Sequence, residues 1–273
     1  EGDKTSSTHE QAKSLQALTF PHHLYLKPLL GREPSLPPLT HQAIADPPLQ
    51  ALLIDNLSYR YSGNHNGIQD ISFTLKRGSL TVITGGIGSG KTTLLRVLLG
   101  LLPMHSGCLY WNDQLIRDPA TFLVPPRTAY TPQVPKLFST SLRNNIQLGF
   151  TDKHLTDKHL EERLNSAVTM AALKQDIANM PDGLETYIGT QGFRLSGGQK
   201  QRAAAARMLV RQSQLLVFDD LSSALDSKTE AQLWNNLLTS HQGYQSTTYL
   251  AVSHQPSVLD RADQIILVPT QFV

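Results

Sequence analysis

The sequence predicts an α/β fold with a parallel core sheet. Strand-like apolar runs alternate with helical runs along most of the chain, which is the pattern of parallel strands joined by helices. The apolar run 80–84 is followed at once by a glycine-rich loop, and that loop by a helical run at 94–99. A second apolar run, 215–218, ends in two carboxylates, Asp219 and Asp220. The fold class follows from these three observations.

Composition limits the classes of protein to which this chain can belong. A chain of 273 residues with 40% hydrophobic content holds one large domain or two small ones around an ample core. The net charge of +2, with 17% charged residues, gives no electrostatic case for binding nucleic acid. The single cysteine, Cys108, excludes an internal disulfide and suits a reducing compartment. No stretch approaches about 18 uninterrupted apolar residues, so no segment is predicted to span a membrane.

The first 49 residues differ in composition from the rest. Prolines recur there, and they break helices and favour extended spacing. We therefore interpret residues 1–49 as a Pro-rich tether and residues 50–273 as the folded domain. The pair His22-His23 has no evident third metal ligand and is interpreted as solvated. The chain begins Glu1-Gly2-Asp3 without a methionine or a signal-peptide pattern, which favours a piece of a longer polypeptide.

The elements of the folded part are predicted in chain order from apolar periodicity. Strands are predicted at 52–54, 57–61, 71–75, 80–84, 109–111, 215–218, 247–252 and 264–268. Helices are predicted at 94–99, within 141–172, and at 200–210 and 229–238. The segment 125–135 contains several prolines and is predicted to be irregular.

The glycine-rich loop reads Gly85-Gly86-Ile87-Gly88-Ser89-Gly90-Lys91-Thr92-Thr93. It matches the phosphate-binding pattern G-x-x-x-x-G-K-[ST] at all eight positions, between a strand and a helix. Its glycines allow positive φ, so the backbone N–H groups turn toward one centre, and the helix adds the positive end of its dipole. Lys91 is predicted to reach the β- and γ-phosphates, and Thr92 to offer its hydroxyl to Mg²⁺. The loop therefore predicts binding of a nucleoside triphosphate.

Further motifs follow this loop in a fixed order. They are Gln133, the segment 195–199 (LSGGQ), the pair Asp219-Asp220, the run Ser223-Ala224-Leu225-Asp226 and His254. In this order and spacing, residues 51–268 resemble the nucleotide-binding domain of ATP-binding cassette (ABC) transporters. The resemblance implies a P-loop NTPase (RecA-like) core with a mixed sheet and an antiparallel β subdomain. It also implies an inserted α-helical signature subdomain at about 134–205, which carries LSGGQ.

The resemblance implies ATP and Mg²⁺ as cofactors and a role for each motif. Thr92, Gln133 and Asp219 are implied as the metal site, and Asp220, His254 and Gln133 as the catalytic residues. Tyr61 is similar to the aromatic residue that stacks on adenine. Tyr59 lies two residues away on the same strand face and is the alternative stacking residue.

The same resemblance implies that two domains share each nucleotide. Ser196, Gly197, Gly198 and Gln199 are implied to close on the γ-phosphate of a second nucleotide-binding domain, and Asp226 to cross the seam between the two. Ser196 alone would be interpreted as a helix N-cap, with Gln199 completing a capping box. The implied partners are a second nucleotide-binding domain, of the same or another chain, and transmembrane domains absent from this chain. The transmembrane domains would hold this chain at the cytoplasmic face of the cell membrane. No nucleic acid is expected as a partner.

Two positions depart from the family pattern. Asp220 stands where the family has a catalytic glutamate, so its carboxylate is one methylene shorter. A misplacement of about 1 Å can cost on the order of 10²-fold in rate, which predicts ATP binding with slow hydrolysis at the Lys91 site. The run 187–192 resembles exporter-type domains, although Gln191 replaces an acidic residue. We expect an exporter whose membrane domain precedes Glu1 in the parent polypeptide.

The main functional hypothesis is an ATP-driven motor domain that moves a solute through attached membrane domains. One alternative is a nucleotide-gated assembly module without useful turnover, against which Asp220, Gln133 and His254 argue. Another is a soluble ATPase of the chromosome-maintenance type. Those ATPases separate the glycine loop from the signature by a long coiled coil, whereas only about a hundred residues without heptads intervene here.

Overall fold

The computed structural model describes residues 47–63, 66–150, 156–189, 192, 194–221, 224–239 and 246–269. The predicted tether over residues 1–46, with the pair His22-His23, lies outside these residues, as do Gln191 and Ser223. Among the helices that the structure describes, none has the length and apolar content needed to cross a bilayer.

Runs of strands alternate with runs of helices along the described chain. The strands are β1 (Ala51–Arg60), β2 (Gly67–Lys76), β3 (Leu80–Thr84), β4 (Ser106–Trp111), β5 (Gln114–Leu115), β6 (Thr128–Thr131), β7 (Leu215–Asp219), β8 (Thr248–Val252) and β9 (Gln264–Leu267). The α-helices are α1 (Lys91–Leu98), α2 (Pro119–Phe122), α3 (Leu142–Ile146), α4 (Asp157–Met170), α5 (Lys174–Ala178), α6 (Gly197–Leu209), α7 (Ser227–Thr239) and α8 (Pro256–Leu259).

Five strands form a parallel sheet in the order β6-β7-β8-β3-β9. Strands β7 and β8 are buried along their whole length, as expected for parallel strands covered on both faces. Alternate residues of each strand point to two different hydrophobic clusters, for example Phe218 to one and Val217 to the other. The predicted parallel core is confirmed.

Four further strands form an antiparallel sheet in the order β2-β1-β4-β5. The predicted antiparallel subdomain is therefore confirmed. The predicted mixed sheet is corrected: in the described residues, the parallel and antiparallel pairings belong to two separate sheets. The two sheets interleave in the chain, because β3 of the parallel sheet lies in sequence between β2 and β4 of the antiparallel sheet.

Strand β1 is continuous, although the sequence predicts two strands separated at residues 55–56. The structure accommodates the interruption as a bulge, with register shifts after Ile54 and after Leu57. Asn56 adopts a φ of 50°, a left-handed conformation that asparagine tolerates better than most residues. A polar pair inside an apolar run thus marks a bulge here and does not end the strand.

The prediction of an irregular segment at 125–135 is wrong for its centre, where β6 forms. Its prolines, among them Pro126 and Pro132, flank the strand and remove no N–H from the ladder with β7. Strand β6 lies at the edge of the sheet, so it pairs on one side only. Gln133 consequently lies two residues beyond the end of a sheet strand.

Helices α3 to α6 lie between β6 and β7 in the chain; α3 to α5 fall within the range of about 134–205 predicted for the helical subdomain, and α6 extends beyond its end. Helix α6 begins after the N-cap Ser196 and packs against α3 and α4 through buried alanines such as Ala203 and Ala206. Small side chains let the neighbouring helices approach α6 closely. The limits proposed for the helical subdomain and for the tether stay predictions.

Candidate nucleotide-binding site

The carboxyl ends of three neighbouring parallel strands meet at one edge of the sheet. Asp219 ends β7 and is in register with Val252 of β8, which in turn is in register with Ile83 of β3. Ligands of open α/β sheets bind at this edge. An open cleft of about 640 Å³ lies here, and its lining comes from six separate stretches of chain. The predicted site residues among them are Tyr61, Gly88, Gly90, Lys91, Thr92, Thr93, Gln133, Asp219, Asp220 and His254.

The glycine loop requires glycine at two positions for lack of space. A Cβ on Gly90 would lie 2.7 Å from the carbonyl oxygen of Gly67, and one on Gly85 only 2.3 Å from that of Val268. Both glycines also have positive φ, of 97° and 146°. Because α1 begins directly after Gly90, the N–H groups of its first turn open toward the cleft. Ser89 lies buried beneath the loop.

Lys91 supplies a positive charge within this loop. Its Nζ donates to the carbonyl oxygens of Gly85, at 2.9 Å, and Gly86, at 2.8 Å. Burial lowers the pKa of the Lys91 ammonium, while the negative charges of Asp220 and Asp219 oppose that shift. An ammonium on a flexible stem can exchange these two neutral acceptors for a charged one, which makes stronger hydrogen bonds.

Asp219 is a buried carboxylate with a hydrogen bond to each oxygen. Thr92 Oγ1 donates to Asp219 Oδ1 at 3.0 Å, and the Tyr130 hydroxyl donates to Asp219 Oδ2 at 3.2 Å. Burial raises the pKa of Asp219, and these two bonds and the charge of Arg96 oppose the shift. Sequence analysis missed Tyr130 because it lies on β6, in the stretch predicted to be irregular.

Asp220 and Gln133 contact each other across the cleft. Gln133 Nε2 donates to Asp220 Oδ2 at 3.0 Å. Asp220 has a φ of 53°, which aspartate tolerates better than most residues, and its N–H donates to the carbonyl of Val252. His254 is exposed, with Nδ1 3.4 Å from Thr84 Oγ1. All three predicted catalytic side chains thus lie along one cleft.

The two candidate stacking residues occupy different places. Tyr61 lines the cleft, and its hydroxyl lies 3.3 Å from Thr93 Oγ1. Tyr59 is buried and packs edge-on against Tyr61, with ring centroids 4.9 Å apart. Of the two rings, the cleft-lining one is therefore Tyr61. That it stacks on adenine stays a prediction.

The LSGGQ segment lies apart from this cleft. Its predicted residues Ser196, Gly197, Gly198 and Gln199 are absent from the described residues that line the cleft, and so is Asp226. Asp226 caps α7 by accepting from the N–H of Thr229, and its hydrogen bonds with Thr229 lower its pKa. A Cβ on Gly198 would lie 2.9 Å from the carbonyl oxygen of Ala224, so the LSGGQ segment packs directly on the run that leads to Asp226.

A capping box fixes the N-terminus of α6. Ser196 Oγ accepts from the N–H of Gln199, and the N–H of Ser196 donates to Gln199 Oε1 at 2.9 Å. The amide nitrogen of Gln199 then donates to Asp176 Oδ1, also at 2.9 Å. Both ends of the Gln199 amide are therefore engaged within this chain, so Gln199 holds the segment in place.

Asp176 and Gln201, which the sequence did not single out, hold the LSGGQ segment, Gln133 and Ala224 in place. Asp176 accepts from both Gln199 and Arg202, whose Nη1 lies 2.7 Å from Asp176 Oδ2. Gln201 donates to the carbonyl oxygen of Gln133 and accepts from the N–H of Ala224. No local pattern around Asp176 indicates these contacts, because its partners lie more than twenty residues further along the chain.

The comparisons with known proteins agree with this geometry. Residues 68–223 match the family described as ABC transporter, and these residues include the glycine loop, the LSGGQ segment and both carboxylates. This chain belongs to the ABC transporter family.

Relatives of this chain occur among bacterial and animal proteins, and one similar solved structure is that of an exporter. The "Probable multidrug resistance ABC transporter ATP-binding/permease protein YheI" of Bacillus subtilis is 35% identical over 80% of this chain and 36% of its own length. P-glycoprotein 14 of Caenorhabditis elegans is 32% identical over 80% of this chain and 16% of its own length. The solved structure of a bacterial Atm1-family ABC exporter with ATP bound is similar with a TM-score of 0.69 and 27% identity, over 81% of this chain and 37% of that one. This ABC domain thus spans about a third or less of these relatives.

The side chains of the ABC domain fit a magnesium nucleotide. Thr92 and Asp219 place a hydroxyl and a carboxylate oxygen side by side, and oxygens are the donors that Mg²⁺ prefers. No group of three or more His, Cys, Asp or Glu side chains suited to a metal occurs in the described part of the chain. Mg²⁺ bound with phosphates needs only one or two carboxylates, so Asp219 suffices.

Replacing Asp176 by alanine is expected to lower the free energy of unfolding by about 2 kcal/mol, because the partly buried Arg202 loses a charged hydrogen-bond partner. Urea unfolding followed by circular dichroism measures this loss. The matched control Asp260→Ala, on the surface after α8, is expected to change stability by no more than about 0.5 kcal/mol. Losses from Asp176→Ala and Arg202→Met that simply add in the double variant would contradict the contact.

Proposed function

We propose that this chain is the ATP-binding and ATP-hydrolysing domain of an exporter. The observation that carries the proposal is the meeting of the glycine loop, Lys91, the Thr92–Asp219 pair and Asp220 at one edge of the parallel sheet. Membership of the ABC transporter family and the similarity to the Atm1-family ABC exporter support it. ATP and Mg²⁺ are the cofactors that these residues would hold.

Each side chain has a defined task in the proposed reaction. The loop N–H groups and the Lys91 ammonium bind the phosphates. Thr92 and Asp219 would hold Mg²⁺, which would supply positive charge to the phosphoryl oxygens. Asp220 orients a water molecule and accepts its proton, and Gln133 holds the Asp220 carboxylate through its amide. His254 is exposed just after β8, lines the same cleft and orients the same water.

The proposal includes a second nucleotide-binding domain. The N-terminus of α6 is a suitable phosphate-binding end, yet it lies outside this chain's own cleft. The packing of Gly198 on the carbonyl of Ala224 holds the LSGGQ segment and the Asp226 run together as one surface. We assign that surface to the nucleotide of a partner domain, from an identical or a different chain.

A separate apolar groove of about 660 Å³ is the feature that favours a transmembrane domain as a partner. Such a partner would place this chain at the cytoplasmic face of the membrane. Leu101 and Val134 line it with exposed fractions of 58% and 76%, and Val134 is adjacent to Gln133 in the chain. Lys136, Arg207 and Arg211 line the same groove, where the described lining contains no carboxylate. Burial and the charge of Arg211 lower the pKa of Arg207 to about 10. A transmembrane domain with an acidic, partly apolar docking segment fits this groove.

We also propose slow hydrolysis at this chain's own site. Asp220 is one methylene shorter than glutamate, which withdraws its carboxylate from the water it must orient. The second candidate, a nucleotide-gated assembly module, rests on the same residue, because complete loss of turnover would leave only binding. The two differ in whether any turnover occurs.

Replacing Lys91 by methionine is expected to weaken ATP binding about 100-fold, or about 2.7 kcal/mol, because the phosphates lose their ammonium partner. Titration with a fluorescent ATP analogue measures the dissociation constant. The control Lys76→Met removes an exposed lysine at the end of β2 and is expected to bind like the unchanged chain. Equal binding by Lys91→Met and Lys76→Met would refute the assignment of the phosphate site.

Lengthening the carboxylate in Asp220→Glu is expected to raise the single-turnover rate of ATP hydrolysis on the order of 10²-fold, because it moves the base back toward the water. Binding of ATP is expected to stay unchanged, and Asp220→Asn serves as the control without a base. Equal rates for the unchanged chain and Asp220→Glu would remove the idea of attenuation. ATP binding without turnover in either would favour the assembly module.

A further inference from the structure

Tyr130 and Asp219 are diagonal neighbours on one face of the parallel sheet. Tyr130 of β6 is in register with Val217 of β7, and Asp219 follows Val217 by two residues. Residues two apart on a strand point to the same face, so the register brings the Tyr130 ring over the Asp219 carboxylate. The observed bond from the Tyr130 hydroxyl to Asp219 Oδ2, at 3.2 Å, is the result of this register.

The direction of this hydrogen bond is fixed by its surroundings. An ionised carboxylate can only accept a hydrogen bond, whereas a phenol hydroxyl can donate one. The Tyr130 hydroxyl therefore gives its own proton to the carboxylate, and the positive charge of Arg96 on α1 acts on both groups. Burial, followed by the charge of Asp219, raises the pKa of Tyr130 to about 12, so the proton stays on the hydroxyl at neutral pH.

The two oxygens of Asp219 are consequently held from different sides. Oδ1 faces Thr92 in the cleft, whereas Oδ2 is held by Tyr130. Tyr130 is not among the described residues that line the nucleotide cleft; it belongs to the wall of the separate apolar groove. Tyr130 therefore contacts Asp219 from outside the described lining of that cleft.

We propose that Tyr130 is a positioning residue that fixes the Asp219 carboxylate with Oδ1 toward Thr92, the place of the metal. The inference rests on the proposed function, since it deepens the role of that metal site. The terminal torsion of an aspartate is broad, so a carboxylate held at one oxygen only would rotate. Removal of a partner that orients a metal ligand typically weakens metal affinity 10- to 100-fold.

The test is the variant Tyr130→Phe, which removes the hydroxyl and keeps the ring. The readout is the affinity for Mn²⁺, measured by electron paramagnetic resonance with the full chain saturated with ADP. We expect Tyr130→Phe to bind Mn²⁺ about tenfold more weakly, while its affinity for nucleotide in EDTA stays within about twofold.

Tyr249→Phe is the matched control, because the Tyr249 hydroxyl also makes a buried bond, 2.8 Å long, to the carbonyl of Leu237 away from the cleft. It is expected to bind Mn²⁺ like the unchanged chain. Unchanged Mn²⁺ affinity in Tyr130→Phe would overturn the inference alone. A loss of nucleotide affinity that is equal with Mn²⁺ and in EDTA would do the same. Failure of the unchanged chain to bind nucleotide would overturn the proposed function first.

Discussion

Parallel pairing of β3, β8 and β7 is the constraint on which the site depends. Strand β3 leads into the glycine loop, β7 ends at Asp219 and β8 is followed by His254. Because the three strands are parallel neighbours, all three ends lie at one edge of the sheet. The glycine loop is 134 residues from Asp219 when counted from Gly85, so no local interaction brings them together. A slip of one residue in β7 would turn Asp219 to the opposite face of the sheet, away from Thr92.

A buried charge at that edge is costly, and the surrounding side chains reduce the cost. Asp219 is almost fully buried, and burial raises its pKa even with two hydrogen bonds and the nearby Arg96. A divalent cation beside Oδ1 would favour the ionised form further. The cost of burying this carboxylate supports both the proposed metal site at Oδ1 and the proposed positioning of Oδ2 by Tyr130.

The sequence alone predicts the parts whose chemistry is local. The glycine loop, the capping box at Ser196 and the strand that ends at Asp219 are all contained in short runs, and the structure places each where the pattern predicts. Tyr130 and Asp176 were missed because their roles arise from partners 89 and 26 residues away. Prolines around β6 indicated a loop, and only its pairing with β7 reveals a strand.

The most direct test of the account is a crystal structure of the chain with Mg²⁺ and a non-hydrolysable ATP analogue. The account predicts that Lys91 leaves the carbonyls of Gly85 and Gly86 for the phosphates, with Thr92 and Asp219 beside the metal. Phosphates bound away from the glycine loop, or a bound analogue with Lys91 still donating to those carbonyls, would contradict it.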